Sequence, residues 1–315
     1  VPTYNTSISR DASNDPLVPT PVAAQIIQDL PASSAVLARA RRVAMSASTN
    51  RLPVLSVLPT AYFVSGDTGL KQTSSQDWEN VTLTAEEIAV IVPIPQAYLD
   101  DAQVPIWDEV RPRIVEAVAK VVDAAALFGT NKPSTWSTDI ATAATAAGNT
   151  VNATSYTDIA QAVSHLARVM AEQGESIDGF ASEPGFPWRL SAMRSTDGLP
   201  IYQPNLQGAP GGSLFGYPFT EVRNGGWDAN TASVIAGDWS KAIVGLRQDI
   251  SFQVFDQGVI SDGSGNVVLN LMQQDAVALR AVMRLGFATA NPVTALQGTS
   301  TARYPFGLLA PVTGS

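Results

Sequence analysis

His165 is the only histidine in the chain, and there is no cysteine. These two facts bound the chemistry. A serine-histidine-aspartate relay would have to recruit His165, and no G-x-S-x-G elbow presents a serine to it. A zinc site wants several nitrogen or sulfur ligands, which this composition does not supply. Neither a G-x-x-x-x-G-K-[ST] loop nor a G-x-G-x-x-G turn after a strand is present. Paired carboxylates remain, since glycoside hydrolysis needs only two. Asp100 and Asp101 are adjacent just before the strongest helical pattern, where capping suits them better than acid-base work. Trp78, Trp188, Trp227 and Trp239 suit a sugar groove, but equally core or interface packing. His165 itself reads as a half-exposed helix residue near Arg168. The residues therefore assign no catalytic, metal or cofactor site.

The elements that would position any site are legible from composition and period. The 315 residues suffice for one large core or two intertwined lobes. Charged residues are sparse at 15%, while there are 23 Gly and 21 Pro, which favours strands, turns and extended arms. Lys and Arg total 19 against 28 Asp and Glu, a net charge of -9. Such a chain does not grip nucleic acid or an anionic membrane through bulk charge. No apolar run is long enough to span a bilayer as a helix. The first residues, "VPTYNTSISR", lack the basic-then-apolar order of a signal peptide. Val1 in place of Met fits either a trimmed initiator or a longer leader cut away.

Residues 1–20 read as an extended arm. "TPVAAQIIQDL" (20–30) reads as a short helix with Thr20 as N-cap and Pro21 at its first position. "SSAVLARARRVAM" (33–45) carries a second helical pattern with a basic face at Arg39, Arg41 and Arg42. "RLPVLSVLP" (51–59) and "NVTLTAEEIAVIVPIP" (80–95) read as strands. The polar residues 60–79 between them suggest a projecting hairpin, because gaps that long are unusual inside a compact domain. Lys71 is the only basic residue between Arg51 and Arg111, and Asp67, Asp77 and Glu79 share its stretch. "VPIWDEVRPRIVEAVAKVVDAAALFGT" (104–130) is the strongest helix, with an apolar stripe through Ile106, Val110, Ile114, Val118, Val121, Val122 and Ala125. Asp108 and Glu109 suit its first turn, Gly129 suits its end, and Pro112 either kinks it or marks where its regular part begins.

Residues 131–154, rich in Ala and Thr, read as a loop or linker. Residues 155–174 read as an amphipathic helix on Ile159, Val163, Leu166 and Met170. "TASVIAGDWSKAIVGL" (231–246) reads as two strands about a Gly-Asp turn, and "DISFQVFDQG" (249–258) as an alternating strand. "SDGSGNV" (261–267) is a turn, and 266–292 runs from strand or turn into a helix or strand. Strong helices early and strands late predict an α+β fold with non-local pairing.

In order along the chain these features resemble the major capsid proteins of tailed phages, with the Hong Kong 97-type fold shared by encapsulins. The resemblance spans about residues 18–290. "PVAAQIIQDLPASSAVLARARRVAM" is similar to the family's N-terminal helix. "WENVTLTAEEIAVIVPIPQAYLDDAQVPIWDEVRPRIVEAVAKVVDAAALFGT" is similar to the returning hairpin strand and spine helix. "GSLFGYPFTEV" resembles the turn of the axial domain, "GDWSKAIVGLRQDISFQVF" the crossover into the peripheral sheet, and "QQDAVALRAVMRLGFATANP" the closing strand. "YFVSGDTG" departs from the family's hairpin pattern, and 131–154 matches none of it.

The resemblance implies an N-terminal arm and helices (1–50), a projecting hairpin or E-loop (51–95), a peripheral-domain spine helix (96–133), an axial domain (134–245), and a peripheral closing sheet with the C-terminus (246–315). It implies a non-enzymatic subunit without cofactors, assembling with itself into pentamers and hexamers. Scaffold, portal, and cementing or decoration proteins are its further partners. The shell would enclose DNA without reading its sequence, in a virion assembled in the bacterial cytoplasm, with no membrane. Candidate intersubunit residues are Asp67, Lys71, Asp77, Trp78 and Glu79 on the hairpin, and Arg39, Arg41, Arg42, Arg247, Arg280 and Arg284 as basic partners of its acids. Gln207, Gly208, Pro210, Gly211 and Gly212 are axial-loop candidates. Some relatives join a hairpin lysine to a neighbour's asparagine with help from a glutamate. Lys71 fits the first role, but no Asp or Glu follows Asp275, so a shell without covalent cross-links is expected. The alternatives are an encapsulin-like nanocompartment and a secreted carbohydrate-active hydrolase.

Overall fold

The structure, a computed structural model, describes residues 34–61, 63, 71, 73–102, 105–156, 158–191, 213–262 and 264–311. The arm, the 20–30 helix and the axial-loop candidates lie outside them. Ser34 caps helix α1 (Ala35–Arg39), its Oγ accepting from Leu37 N at 3.0 Å. The helical pattern expected over 33–45 ends there. Residues Arg41–Ala44 instead form strand β1, parallel to a partner some two hundred residues away, Arg41 opposite Ile243. Helix propensity is a weak preference, and an available sheet edge overrides it.

Strand β2 (Thr49–Val57) pairs antiparallel with β3 (Asp77–Thr84) to form the hairpin, and β4 (Glu86–Pro95) follows. The single strand expected over 80–95 is thus two. The break falls at Ala85, whose N–H donates to Ser48 O at 2.8 Å. After the short α2 (Gln96–Asp101), α3 runs from Ile106 to Phe128, straight through Pro112 in its second turn. Gly129 closes it in the left-handed conformation, φ 72°, the geometry glycine adopts without a Cβ penalty. Its buried face includes Ile114, Val118, Val122 and Ala125, while Val121 is exposed and so does not belong to the stripe.

The stretch read as a linker is core. Asp139 caps helix α4 (Ile140–Ala146), accepting from Thr142 N at 3.0 Å, and β5 (Thr150–Asn152) follows. Ile140, Ala141 and Ala144 are buried. Small alanine side chains let this helix lie close to α3, which low sequence contrast conceals. Helix α5 (Ile159–Glu172) is capped by Asp158 and buries Val163, Leu166 and Met170. Then come β6 (Gly179–Ser182), α6 (Phe186–Ser191), β7 (Ser213–Leu214), β8 (Tyr217–Glu221) and β9 (Val234–Gly237). The last elements are β10 (Ala242–Phe255), β11 (Val259–Ser261), β12 (Val267–Asn270), β13 (Ala276–Thr289) and β14 (Phe306–Ala310). The stretch 266–292 is therefore strand, turn and strand, and β10 is continuous where two strands were read.

Two sheets organise the molecule. The four-stranded sheet has the order β1-β10-β13-β4, and the six-stranded sheet β5-β14-β9-β6-β8-β7. The C-terminal strand β14 thus returns to the six-stranded sheet instead of staying with the four-stranded one that β10 and β13 build. One apolar cluster joins both sheets, uniting Val118, Val122 and Leu127 of α3 with Trp239, Val244, Phe287 and Phe306. A second fills the space between α5 and the six-stranded sheet with Leu166, Met170, Phe180 and Val234.

Candidate assembly surfaces

The segment that links the sheets is built for position. β9 ends at Gly237, where a Cβ would lie 2.1 Å from the Phe306 ring and 2.7 Å from Pro305 O, so only glycine allows that approach. Asp238 Oδ1 accepts from Ser240 N (3.1 Å) and Ser240 Oγ (2.6 Å), shaping a single 3-10 turn, Trp239–Lys241. Trp239 is 1% exposed. Its backbone N–H donates to Asp178 Oδ1 (2.9 Å), its Nε1 to Gly179 O (3.2 Å), and its ring meets Phe306 edge-on at 5.2 Å. The Arg39 guanidinium sits 6.0 Å from that ring and donates to Thr220 Oγ1 at 2.8 Å. Burial holds the Arg39 pKa below its ordinary value, with Asp178 opposing that shift. Arg39, a predicted interface residue, therefore works inside the subunit, bracing α1 against the six-stranded sheet.

Asp123 was missed by the sequence reading. It projects from α3 and is 0% exposed. Its carboxylate accepts from Ser34 Oγ (2.5 Å), Ala35 N (3.0 Å), Val36 N (3.1 Å) and Asn224 Nδ2 (2.7 Å). Burial pushes its pKa up, and the four hydrogen bonds pull against that. The first turn of α1 and the loop after β8 are both pinned to α3 through this one group. The available signal was a lone acid in the otherwise apolar run "VVDAAALF".

The hairpin is the opposite case. Among the residues of β2 and β3 only Leu83 is buried, packed at the base with Met45, Ile243 and Ala288. Trp78 is 58% exposed, and Asp77 and Glu79 flank it on β3. Lys71 is exposed, and Asp67 lies outside the described residues. Two-stranded ribbons are marginal in water by themselves, and this one packs on its own subunit through Leu83, Leu52 and Val81.

The other basic candidates are already engaged within the chain, Arg41 excepted. Arg42 donates to Leu37 O (2.6 Å) and Arg247 to Ser46 O (2.6 Å). Arg280 donates to Gln253 Oε1 (2.5 Å) with its guanidinium over the Phe255 ring at 4.7 Å. Arg284 pairs with Glu87 of the adjacent strand at 2.6 Å. Arg41 is exposed. The structure thus does not gather the hairpin acids and these arginines into one patch.

Asp100 accepts from Gln96 within α2 (2.8 Å) and does not cap α3, whose first turn starts after Pro105 with no side-chain cap. His165 is half-buried, contacting Arg168 at 2.6 Å. Trp239 is core, Trp227 donates to Ala232 O (2.7 Å), and Trp78 and Trp188 are exposed, so the four do not line one groove. Among the described residues no group of three or more His, Cys, Asp or Glu side chains is placed to hold a metal. None of the described helices is long and apolar enough to cross a membrane.

A two-sheet body carrying a strand ribbon with an exposed edge at Asp77, Trp78 and Glu79, and no metal-binding cluster among the described residues, has the form of a structural building block. The comparisons with known proteins give the family. The phage capsid family matches residues 14–297. A solved structure from Microbacterium phage Oxtober96 is 33% identical, with a TM-score of 0.84 over 94% of this chain and 97% of that one. A structure from Mycobacterium phage Adephagia is 31% identical, with a TM-score of 0.85 over 98% of this chain and 99% of that one. The major capsid protein of Staphylococcus phage 80alpha is 23% identical over 270 residues, 84% of this chain and 79% of that protein. The chain belongs to the phage capsid family, and its α+β architecture is the Hong Kong 97-type fold.

Proposed function

We propose that this chain is the repeating subunit of an icosahedral shell that encloses the double-stranded DNA of a tailed phage. The observation that carries the reading is the β2–β3 hairpin, which buries only Leu83 and leaves Asp77, Trp78 and Glu79 exposed. Closed shells need contacts that a compact body does not supply, and projecting ribbons that lie on neighbours add that area. Residues 60–79 then rest on an adjacent subunit. The four-stranded sheet with α3 serves as the peripheral domain and the six-stranded sheet as the axial domain, with β14 returning to the latter. Gln207, Gly208, Pro210, Gly211 and Gly212 approach the ring axes, where glycines let one sequence serve both pentamers and hexamers.

The net charge of -9 supports a wall that DNA slides past without sticking. Scaffold, portal and cementing or decoration proteins are the further partners, and assembly takes place in the host cytoplasm. The deciding experiment is electron microscopy of the purified chain alongside a variant lacking residues 60–79. Closed particles from the first and folded, unclosed subunits from the second agree with this function. Normal particles from the deletion overturn the role of the hairpin, and a monomer that never assembles overturns the whole reading. Denaturing electrophoresis of particles should give a single band at the monomer mass. A ladder abolished by Lys71→Ala would show the covalent cross-links this proposal excludes.

A further inference from the structure

Residues 290–305 join β13 to β14 with no regular element but the 3-10 turn Ser300–Ala302. A connection of that length inside a compact body is uncommon and usually has a function. Two side chains fold it on itself. Arg303 is 3% exposed. Its Nε donates to Pro292 O (2.9 Å), one terminal nitrogen to Gly298 O (2.7 Å) and the other to Asn291 O (3.2 Å). Asn291 Nδ2 in turn donates to Ser300 O and Arg303 O, both at 3.0 Å. A rigid, planar guanidinium serves several carbonyls at fixed angles, which the point charge of an ammonium does not.

The folded loop touches two separate parts of the subunit. On one side Thr294 Oγ1 donates to Gln173 O at the end of α5 (2.5 Å), and a Cβ at Gly174 would lie 2.9 Å from the Thr294 Cβ. On the other side Val293 N donates to Leu55 O of β2 (2.9 Å). The apolar base of the hairpin ends at the paired Leu52 and Val81. Leu55 lies three residues beyond it on β2, about 10 Å along the strand. Glu79, opposite Val54 on β3, lies within electrostatic reach of Arg303. Burial holds the Arg303 pKa below its ordinary value, and the charges of Glu175 and Glu79 oppose that shift.

We propose that the loop 290–305 is a strut that aims the hairpin before assembly, with Arg303 as its positioning residue. The inference rests on the shell function above. A two-stranded ribbon is marginal alone, and one held only at its base pivots there. A hydrogen bond farther out resists that rotation with a longer arm, and this one has its footing on α5. A hairpin already aimed loses less freedom when it meets a neighbour, so less of the contact energy is spent on ordering it. Arg303 is buried, so it acts through Val293 and touches no neighbour.

The chain has no cysteine. Spin labels at Ser75→Cys, beside the hairpin strands, and Ser164→Cys on α5, both exposed positions, therefore report the hairpin direction in unassembled subunits by pulsed electron paramagnetic resonance. The parent should give one narrow distance distribution. Val293→Pro removes the N–H that reaches Leu55 and leaves the Arg303 carbonyl contacts in place. Its distribution should widen and its yield of closed particles should fall, while its thermal midpoint stays that of the parent. Arg303→Lys keeps the charge near Glu79 and loses the fork, so it should widen the distribution as well. A parental width in Arg303→Lys overturns the role given to Arg303, and if that variant does not fold, Val293→Pro decides. An unchanged width in Val293→Pro overturns the strut, and a widened distribution with the parental particle yield overturns its part in assembly. A parent that never forms particles overturns the shell function, while the widths of parent and variant still decide the strut.

Discussion

Across β2 and β3 only Leu83 is withdrawn from water, whereas from Ala232 to Gly237 every residue is buried, as are Trp239 and the first four residues of β10. Both regions are runs of β-branched and apolar residues broken by a turn. They differ in what covers them. The β9–β10 segment packs against α3, with β14 hydrogen-bonded beside β9 in the same sheet, and is finished inside the subunit. The hairpin is anchored at its base by Leu83, Met45 and Ile243, Leu52 and Val81 are half-buried beside them, and Val293 N donates to Leu55 O at 2.9 Å, while Asp77, Trp78 and Glu79 stay exposed. Burial thus separates the residues that make the subunit fold from those that the proposed assembly would use. Arg39 and Trp78 illustrate the point. Both were candidates for contact between subunits, yet Arg39 braces the interior and Trp78 faces outward.

This contrast can be broken most forcefully at Trp239. Trp239→Ala removes a fully buried indole between the two sheets and should cost about 3–5 kcal/mol of stability, measured as a shift of the denaturation midpoint at constant slope. An unchanged midpoint would show that the junction is not the structural centre described. Next is Asp123→Ala, which leaves Ser34 Oγ, Ala35 N, Val36 N and Asn224 Nδ2 without their acceptor. Relief of the buried charge offsets part of that loss, so a net cost of about 2 kcal/mol is expected. Hydrogen exchange should rise first in α1. Equal protection of α1 in the parent and the variant would contradict the pinning role.

Trp78→Ala should sharpen the contrast from the other side. Stability of the isolated subunit should change by no more than about 0.5 kcal/mol, while particle formation, followed by light scattering, should fall. A destabilised subunit that still assembles normally would reverse the assignment of the two regions. The smallest effect concerns Asp228. The hydroxyl of Thr231 and the N–H of Asn230 hold its carboxyl below the ordinary range. A depressed folded pKa contributes stability that is present above the unfolded value, about 3.9, and lost as pH falls through the folded one. The melting temperature of the parent should therefore approach that of Asp228→Asn as pH drops through that window. A constant difference would refute it.

The elements most legible in the sequence were those whose signals are local. α3 and α5 show strong helical period, and Gly129 and Asp158 are cap residues at their ends. The Gly-Asp turn was plain, and the order of features along the chain pointed to the fold. What was illegible depended on distant partners. Nothing near Arg41 reveals that β10 will offer it a parallel edge, and nothing near Ala85 reveals that the strands on its two sides join different sheets. α4 was concealed because alanine and threonine give little contrast between buried and exposed faces. The hairpin strands themselves were legible, and Asp77, Trp78 and Glu79 are exposed on β3. Their basic partners were not legible, because an arginine pattern does not say whether its acceptor lies in the same chain, as Glu87 does for Arg284.

Only Asp238 and the turn Trp239–Lys241 lie between the end of β9 and the start of β10. There is no slack in that connection. Ala290 N, one residue past β13, donates to Lys241 O at 2.8 Å, so the chain leaving β13 holds the turn as well. Mechanically the two sheets meet at a welded joint, not a hinge. A bending load on one sheet passes to the other as tension along covalent backbone, before any packed side chain has to slip. Subunits joined in this way resist flexing individually, and a wall built of them would change its curvature at the seams between subunits.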